Sequence, residues 1–334
     1  MGALEFNMEA PYIVGVDLGG TTLTAGVVTR EGEVVCTHQR PTEAERGPEV
    51  VIGNLVEAIE AVLSERGLSK SDVAGVGIGV PGHILSEEGV CVFSPNFVGW
   101  RNVKVTSPIE ERVGLKVTIM NDVNTAALGE WWFGAGKGTE SMVMLTLGTG
   151  IGGGVIVNGD IVLGHTEAAG EVGHQTILPE GPRCGCGNHG CIEAIAARDA
   201  IVGRALLKLQ QGRKSILPQL VGGDLKRLDP KIIEDAARMG DEVAREVYEE
   251  TGYYLGIAVS NLALILDPEL IVIGGAIAKA GDLIFEPIRR TVAARCQMTE
   301  FDPQRIVPAQ LGELSGVVGG AVLVMRKLGM KRPS

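Results

Sequence analysis

The chain has 334 residues, of which 45% are hydrophobic, and its formal net charge at pH 7 is −11. This length exceeds what one hydrophobic core usually supports, so we expect two domains. The acidic balance and the lack of a Lys/Arg run argue against nucleic acid as a partner. The long uncharged stretches are too glycine-rich or too short to span a bilayer, so we expect no membrane segment.

The N-terminal segment lacks the basic start and the apolar stretch of a signal peptide. Six cysteines in a chain without a secretory signal indicate a reducing compartment. We therefore expect a cytoplasmic protein, in which Cys36, Cys91 and Cys296 are buried thiols.

The first half of the chain alternates strand and helix patterns. Short apolar runs predict strands at 12–16 and 23–28, separated by the turn Asp17-Leu18-Gly19-Gly20-Thr21-Thr22. The elements predicted next are a strand at 33–38, an amphipathic helix at 48–66, a strand at 73–80, an irregular loop at 92–100, a helix from 107 and a strand at 116–120.

The second half opens as the first does, which indicates an internal repeat. The segment GVDLGGTTLTAGVV from Gly15 aligns with MLTLGTGIGGGVIV from Met144, and two similar βββαβα units are implied. We place a small domain at 1–121, joined by a C-terminal helix at 315–334, and a large domain at 122–314. Further predicted elements are helices at 192–211 and 230–266, a strand at 270–273, a helix from 282, a strand at 306–307 and a terminal helix at 316–328 that packs on the first domain.

The stretch 171–193 carries the spacing of metal ligands. One histidine and three cysteines form the pattern: His174, Cys184, Cys186 and Cys191. Three thiolates and one imidazole complete a tetrahedral Zn²⁺ shell, and such a closed shell is structural. We expect the ion to hold Glu171 and Glu193 in place, because no open position remains for an activated water. A disulfide-bearing loop or chance clustering is the alternative.

Two strand turns are rich in glycine and threonine. They comprise Gly19, Gly20, Thr21 and Thr22 in the first half and Gly148, Thr149 and Gly150 in the second. Backbone N–H groups at such turns can converge on an anion, and threonine hydroxyls add donors. We expect the turns to clasp a polyphosphate, with Asp17 holding Mg²⁺ beside it. An ordinary hairpin turn and an Asx cap are the simpler alternatives.

Asn121 and Asp122 stand where a predicted strand meets a predicted helix. The positive end of the helix dipole favours an ionised carboxylate, which suits Asp122 to accept a proton from a sugar hydroxyl. The simpler alternative is that Asp122 only caps the helix.

Further polar side chains add to this candidate sugar site. Asn96, Glu171 and Glu193 are groups of the kind that grip several hydroxyls, and they cost free energy if buried without a partner. Trp100 is a candidate wall for the same site.

These motifs together resemble the signatures of the ROK family of sugar kinases and repressors. The matching segments are 17–21, 121–122, 147–154, 171–174 and 184–193, and the resemblance extends over residues 12–328. It implies an α/β fold of the actin-like ATPase (ribonuclease H-like) type, duplicated into two domains with sugar and nucleotide in an interdomain cleft. It also implies transfer of a phosphoryl group from ATP to a hexose 6-hydroxyl in the presence of Mg²⁺.

The resemblance also implies roles for single residues. Asp122 would be the base toward the reacting hydroxyl, and His174 would ligate zinc as well as bind sugar. The other hydroxyls would be held by Asn96, Asn121, Glu171, His174 and Glu193. Residues 19–21 and 148–150 would flank the phosphates, and Gly274 and Gly275 would approach the adenosine.

One position departs from the family pattern. Many members carry Lys where this chain has Thr22, which leaves the phosphate donor open. A kinase for mannose, fructose or an N-acetylated hexosamine is an alternative to a glucose kinase, as is a non-catalytic sugar-sensing regulator. A homo-oligomer, either a dimer or a tetramer, is expected.

Overall fold

The structure is a computed structural model that describes residues 4–333. Contacts divide the chain into two compact units. The first runs as far as Thr139 and also contains Gly154–Gly170 and the segment from Gln310 onward, and the second contains Glu140–Gly153 and Glu171–Ala309. The boundaries inferred from sequence, at residues 121 and 315, differ from these, and the division into functional domains stays a prediction.

Thirteen strands form within the described residues: β1 Tyr12–Leu18, β2 Thr22–Thr29, β3 Val34–Pro41, β4 Val73–Val80, β5 His83–Leu85, β6 Val90–Phe93, β7 Arg101–Lys104, β8 Val117–Asn121, β9 Met142–Leu147, β10 Ile151–Val157, β11 Asp160–Ile161, β12 Leu270–Gly274 and β13 Ile306–Pro308. The predicted strands at 12–16, 23–28, 33–38, 73–80, 116–120, 270–273 and 306–307 are thereby confirmed. Every residue of β4 is buried, as expected for a central strand with parallel neighbours.

The same part of the chain forms ten α-helices: α1 Pro48–Glu65, α2 Thr106–Val113, α3 Asp122–Phe133, α4 Ile192–Ala196, α5 Arg198–Gln210, α6 Leu217–Leu220, α7 Pro230–Arg238, α8 Glu242–Leu266, α9 Asp282–Arg295 and α10 Ser315–Lys327. None of these helices is long and apolar enough to cross a membrane.

The two five-stranded sheets repeat one strand order. The first is β3-β2-β1-β4-β8 and the second is β11-β10-β9-β12-β13, while β5, β6 and β7 form a small third sheet. In the first sheet β1 pairs antiparallel with β2 and parallel with β4, and in the second β9 pairs parallel with β12. The internal repeat inferred from the two glycine turns is therefore confirmed.

Alternate residues of the central strands explain the layers of the first unit. Val14 and Val16 of β1 belong to a buried cluster with the apolar face of α1. Successive residues of a strand point to opposite faces of the sheet. Gly77 of β4 therefore faces away from this cluster, toward the side of the sheet on which α10 packs. A Cβ atom at Gly77 would lie only 1.9 Å from the carbonyl oxygen of Gly320. The terminal helix therefore packs on the first unit at backbone distance.

Two long helices predicted from sequence are each interrupted. The stretch 192–211 divides at Ala197, whose backbone is extended, into α4 and α5. The stretch 230–266 divides at Gly240, which has a φ of 97°, and at Asp241, whose side chain accepts from the Ala244 N–H and begins α8. Apolar periodicity continues across both interruptions, so it did not reveal them.

Candidate active site

The first glycine turn, between β1 and β2, is held by its backbone. The Gly19 N–H donates to the Thr22 carbonyl at 3.1 Å, and the Thr42 N–H donates to the Thr21 carbonyl at 2.8 Å. The Thr42 hydroxyl donates to the Gly19 carbonyl at 2.7 Å. Gly20, Thr21 and Thr22 are exposed, so their polar groups are accessible to an anion.

Asp17 lies at the end of β1, just before this turn. Its side chain packs against α10, since a Cβ atom at Gly316 would lie 2.4 Å from Asp17 Cγ. Burial raises the pKa of Asp17 to about 6. A nearby divalent cation would favour the charged carboxylate and so oppose this effect of burial. The position therefore fits a Mg²⁺-binding group.

Asn121 and Asp122 lie where β8 meets α3, as the sequence predicts. The N-cap of α3 is Asn121, whose Oδ1 accepts from the N–H groups of Val123 and Asn124 at 3.0 and 3.1 Å. Its Nδ2 donates to the Gly82 carbonyl at 3.1 Å. Asp122 is half-buried and is the first residue of the helix. The alternative role considered for Asp122, that of the N-cap, therefore belongs to Asn121.

The loop that carries Asn96 is anchored by aromatic side chains. Asn96 itself is exposed, whereas Phe97 and Trp100 are buried and pack edge to face with their ring centroids 4.9 Å apart. Trp100 is 1% exposed and belongs to the core of the first unit. The expectation that Trp100 walls an open sugar site is therefore wrong, because its indole is used to fix the loop.

The predicted zinc ligands converge in the second unit. The ligand atoms of His174, Cys184, Cys186 and Cys191 all lie within 4.8 Å of one another. His174 Nδ1 lies 3.6 Å from Cys184 Sγ, and Cys186 Sγ lies 3.7 Å from Cys191 Sγ. Tetrahedral zinc with Zn–S bonds of about 2.3 Å requires S···S separations of roughly 3.8 Å, so the donor set fits Zn²⁺.

The orientation of His174 leaves its two ring nitrogens with different surroundings. Nδ1 belongs to the ligand cluster, whereas Nε2 lies 3.9 Å from Glu171 Oε2. One imidazole can therefore ligate a metal through Nδ1 and present Nε2 beside a carboxylate. The two roles inferred for His174 are compatible in geometry.

The second glycine turn, between β9 and β10, is held by groups from α4 and α5. Glu193 Oε2 accepts from the Ile151 N–H at 3.0 Å. The Gly148 carbonyl accepts from the Arg198 N–H, also at 3.0 Å. A Cβ atom at Gly150 would lie 2.4 Å from Glu193 Oε2, so a side chain at this position would displace the Glu193 carboxylate. Thr149, at the tip of the turn, is exposed.

A cavity of about 550 Å³ adjoins this turn within the second unit. Its lining is formed by Gly148, Thr149, Arg198, Asp229, Pro230, Lys231, Glu234, Tyr248, Ala276, Ile277 and Lys279. The buried Tyr248 hydroxyl donates to the Pro230 carbonyl at 2.9 Å, and burial raises the pKa of Tyr248. Gly274 ends β12 as a buried residue, and the exposed Gly275 leads into the lining residues Ala276 and Ile277.

The polar lining of this cavity was not anticipated from the sequence. Arg198, Asp229 and Tyr248 belong to three separate helical segments, and only the Asp229-Pro230 pair carries a local signal, that of a helix start. Nothing in that signal relates Asp229 to the turn at Gly148. Such a lining becomes visible only once the helices are packed.

The candidate residues divide between the two units. The set in the first unit comprises Asp17, Gly19, Gly20, Thr21, Thr22, Asn96, Asn121 and Asp122. The set in the second comprises Gly148, Thr149, Gly150, Glu171, His174, Cys184, Cys186, Cys191, Glu193, Gly274 and Gly275.

Two copies of one strand order, each with a glycine turn after its first strand, define an actin-like ATPase fold, in agreement with solved structures. The family model of the ROK family matches residues 13–327. The chain therefore belongs to the ROK family.

Relatives of known name are similar over nearly their whole length. The chain is 39% identical over 321 residues to the glucokinase of Halalkalibacterium halodurans, covering 96% of this chain and 97% of that one. It is 39% identical over 320 residues to the glucokinase of Thermotoga maritima, covering 95% and 98%. A crystal structure of a ROK family glucokinase from Streptomyces griseus in complex with glucose and AMPPNP matches with a TM-score of 0.83 and 34% identity, covering 94% and 99%.

Proposed function

We propose that this chain is an ATP-dependent hexose kinase that phosphorylates glucose at the 6-hydroxyl. Its similarity to two glucokinases over 95% or more of the chain supports the activity. The observation that carries the proposal lies in the second unit, where the glycine turn adjoins a cavity of about 550 Å³ and also contacts Glu193 beside the Cys/His cluster. A kinase needs neighbouring sites for a phosphate donor and an acceptor, and this arrangement offers candidates for both.

Asp122 would act as the general base toward the reacting hydroxyl. It lies in the first turn of the 12-residue helix α3, where the helix dipole favours the carboxylate. Phosphoryl transfer has a loose transition state with little charge on the attacking oxygen, so the proton would leave late. Positioning and electrostatic stabilisation would supply most of the rate enhancement.

The other hydroxyls of the sugar would be held by polar and charged side chains. Glu171 and Glu193 would accept hydrogen bonds, and His174 would use Nε2 while its Nδ1 ligates zinc. The exposed Asn96 would contribute from its loop. Both lone-pair directions of Asn121 Oδ1 are occupied by cap hydrogen bonds, so its direct contact would use the remaining N–H of Nδ2.

The nucleotide would use the two glycine turns and the cavity. The turns at 19–22 and 148–150 would donate backbone and hydroxyl groups to the phosphates. Bound Mg²⁺ would neutralise phosphate charge, and Asp17 would hold it directly or through water. The cavity beside Gly148, with Gly275 at its border, would accept the adenosine.

Zinc would be structural, because three thiolates and His174 Nδ1 would fill its tetrahedral shell. Keeping three cysteines as metal-binding thiolates favours a reducing compartment, so we also propose a cytoplasmic location.

The homo-oligomer is expected because most soluble oligomers are symmetric homo-oligomers. It stays a prediction that light scattering after gel filtration can test.

The decisive experiment is a sugar panel with Mg-ATP that follows ADP release and assigns the phosphorylated carbon by NMR. We expect glucose to give the highest kcat/KM and the 6-phosphate to be the product. A preference for mannose, fructose or an N-acetylated hexosamine would keep the kinase but change its substrate. Sugar binding without turnover of any sugar would overturn the kinase proposal in favour of a sensor.

A further inference from the structure

We propose that Glu193 is a positioning residue for the second glycine turn, so that the zinc loop at 171–193 governs nucleotide affinity as well as sugar affinity. This inference rests on the proposed function, because it takes the turn at 148–150 to bind the phosphates of ATP. It adds a task to Glu193 beyond contact with a sugar hydroxyl.

The first step of the argument is the contact between Glu193 and the turn. Its Oε2 accepts from the Ile151 N–H at 3.0 Å, and Gly150 approaches so closely that a Cβ atom there would clash with this oxygen. The Arg198 N–H holds the other side of the turn through the Gly148 carbonyl at 3.0 Å. The turn is therefore bracketed at both ends by the segment that follows the last zinc ligand.

The second step connects Glu193 to the metal-binding cluster. Cys191 is the N-cap of α4, and Glu193 lies two residues later in its first turn. Glu193 Oε1 lies 3.8 Å from Cys184 Sγ. A metal that fixes both cysteines thus also limits where the Glu193 carboxylate can lie.

A third contact attaches the other end of the zinc loop to the same residue of β10. A Cβ atom at Gly173, which precedes His174, would lie 1.9 Å from the Ile151 carbonyl oxygen. Ile151 is therefore held on its N–H side by Glu193 and approached on its carbonyl side by the backbone beside His174. Loss of the metal would loosen both contacts.

Electrostatics supports a positioning role over a direct one toward phosphate. A carboxylate close to bound phosphates would repel them, so Glu193 offers the nucleotide no charge attraction. Its hydrogen bond to Ile151 instead fixes the backbone whose other N–H groups can donate to an anion. The amide of Glu193→Gln would keep that acceptor and remove the charge.

The test measures the Kd of Mg-ADP without sugar by calorimetry on the zinc-loaded protein. Removing a hydrogen bond to a charged group should weaken binding about tenfold or more in Glu193→Ala. Glu193→Asp, whose shorter side chain cannot reach Ile151, should weaken Mg-ADP binding to a similar extent. In Glu193→Gln the Kd of Mg-ADP should stay within about threefold of the wild-type value. Glu180→Ala is the matched control, because Glu180 is an exposed residue of the zinc loop that has no hydrogen bond to the turn among those of the described residues. Its Kd for Mg-ADP should not change.

Zinc content and thermal unfolding are measured on every variant, so that a change in nucleotide affinity is compared among folded, metal-loaded proteins. Withdrawing zinc from the wild type with a zinc-selective chelator, followed by dialysis, should also raise the Kd of Mg-ADP. An unchanged Kd in both Glu193→Ala and Glu193→Asp, with weaker glucose binding, would overturn the inference and leave Glu193 as a sugar ligand alone. Wild-type protein that binds Mg-ADP and glucose without turnover would overturn the kinase proposal while leaving this result intact.

Discussion

The two glycine turns have the same place in the repeated sheets but different supports. The turn at 19–22 is held by Thr42 and by its own backbone, next to Asp17, whose pKa burial raises to about 6. The turn at 148–150 also has a backbone hydrogen bond of its own, from the Gly148 N–H to the Gly150 carbonyl at 3.0 Å, but its outside support comes from the Glu193 carboxylate and the Arg198 N–H, next to a cavity. A repeated topology sets where a turn lies, whereas side chains from later segments decide what it can bind. In our proposal the first unit supplies the base and the Mg²⁺ ligand, and the second supplies the adenosine cavity and the sugar ligands beside the Cys/His cluster.

The largest effect is expected from Asp122→Ala, which tests the catalytic role of the first unit. We expect kcat to fall by about 10³-fold, because a general base acts in the transition state. The Kd of glucose should stay within about tenfold, because the other hydroxyl ligands remain. Steady-state kinetics and calorimetry measure the two quantities, and Asp122→Asn controls for side-chain volume. Equal losses in kcat and in glucose affinity would instead make Asp122 a binding residue and remove the contrast between the units.

The next largest effect is expected from Cys184→Ser, which tests the binding role of the second unit. Loss of zinc should free Glu171 and Glu193 and raise the KM for glucose by about 100-fold. Metal analysis and steady-state kinetics provide the measurement. Cys36→Ser, outside the cluster, should retain zinc and wild-type KM. A zinc-free Cys184→Ser protein with unchanged kinetics would contradict the structural role of the metal.

A third prediction concerns how the first unit holds α3, the helix that begins with Asp122. A Cβ atom at Gly319 of α10 would lie 1.8 Å from the Thr125 carbonyl oxygen of α3. Gly319→Ala should therefore lower the free energy of unfolding by about 3 kcal/mol, measured by urea denaturation. Gly203→Ala in α5 is the matched control, because a Cβ built there would meet no atom within 4 Å from other parts of the described chain, its own helix backbone aside. That change should raise stability by about 0.5 to 1 kcal/mol, and equal effects of the two changes would be evidence against close packing of α10 on α3.

The smallest effect is expected from Asp17→Asn beside the first turn. The Mg²⁺ concentration for half-maximal activity should rise about tenfold, because a neutral amide binds the hydrated cation less strongly. Glucose affinity measured without nucleotide should not change. Glu60→Gln, an exposed substitution on α1, controls for the loss of one negative charge. An unaltered Mg²⁺ requirement would leave Asp17 with a structural role at the turn.

Several features of the site could be predicted because their signals lie close together along the chain. The cysteines at 184, 186 and 191 lie within one short loop, and each glycine turn follows directly on its strand. The position of Asp122 at a strand end and helix start was likewise apparent. Helix boundaries were less accurate, since the interruptions at Ala197 and Gly240 do not disturb the apolar periodicity.

The repeat, the Cys/His cluster and the two glycine turns could therefore be predicted from the sequence, because each rests on short motifs of residues that lie close together along the chain. The sequence did not show that Trp100 lies in a core, that Glu193 accepts from the Ile151 N–H, or that Tyr248 lines the same cavity as Gly148. These contacts join segments far apart in the chain. Their existence depends on how helices pack on sheets, and that packing is set by the whole core and not by any one segment.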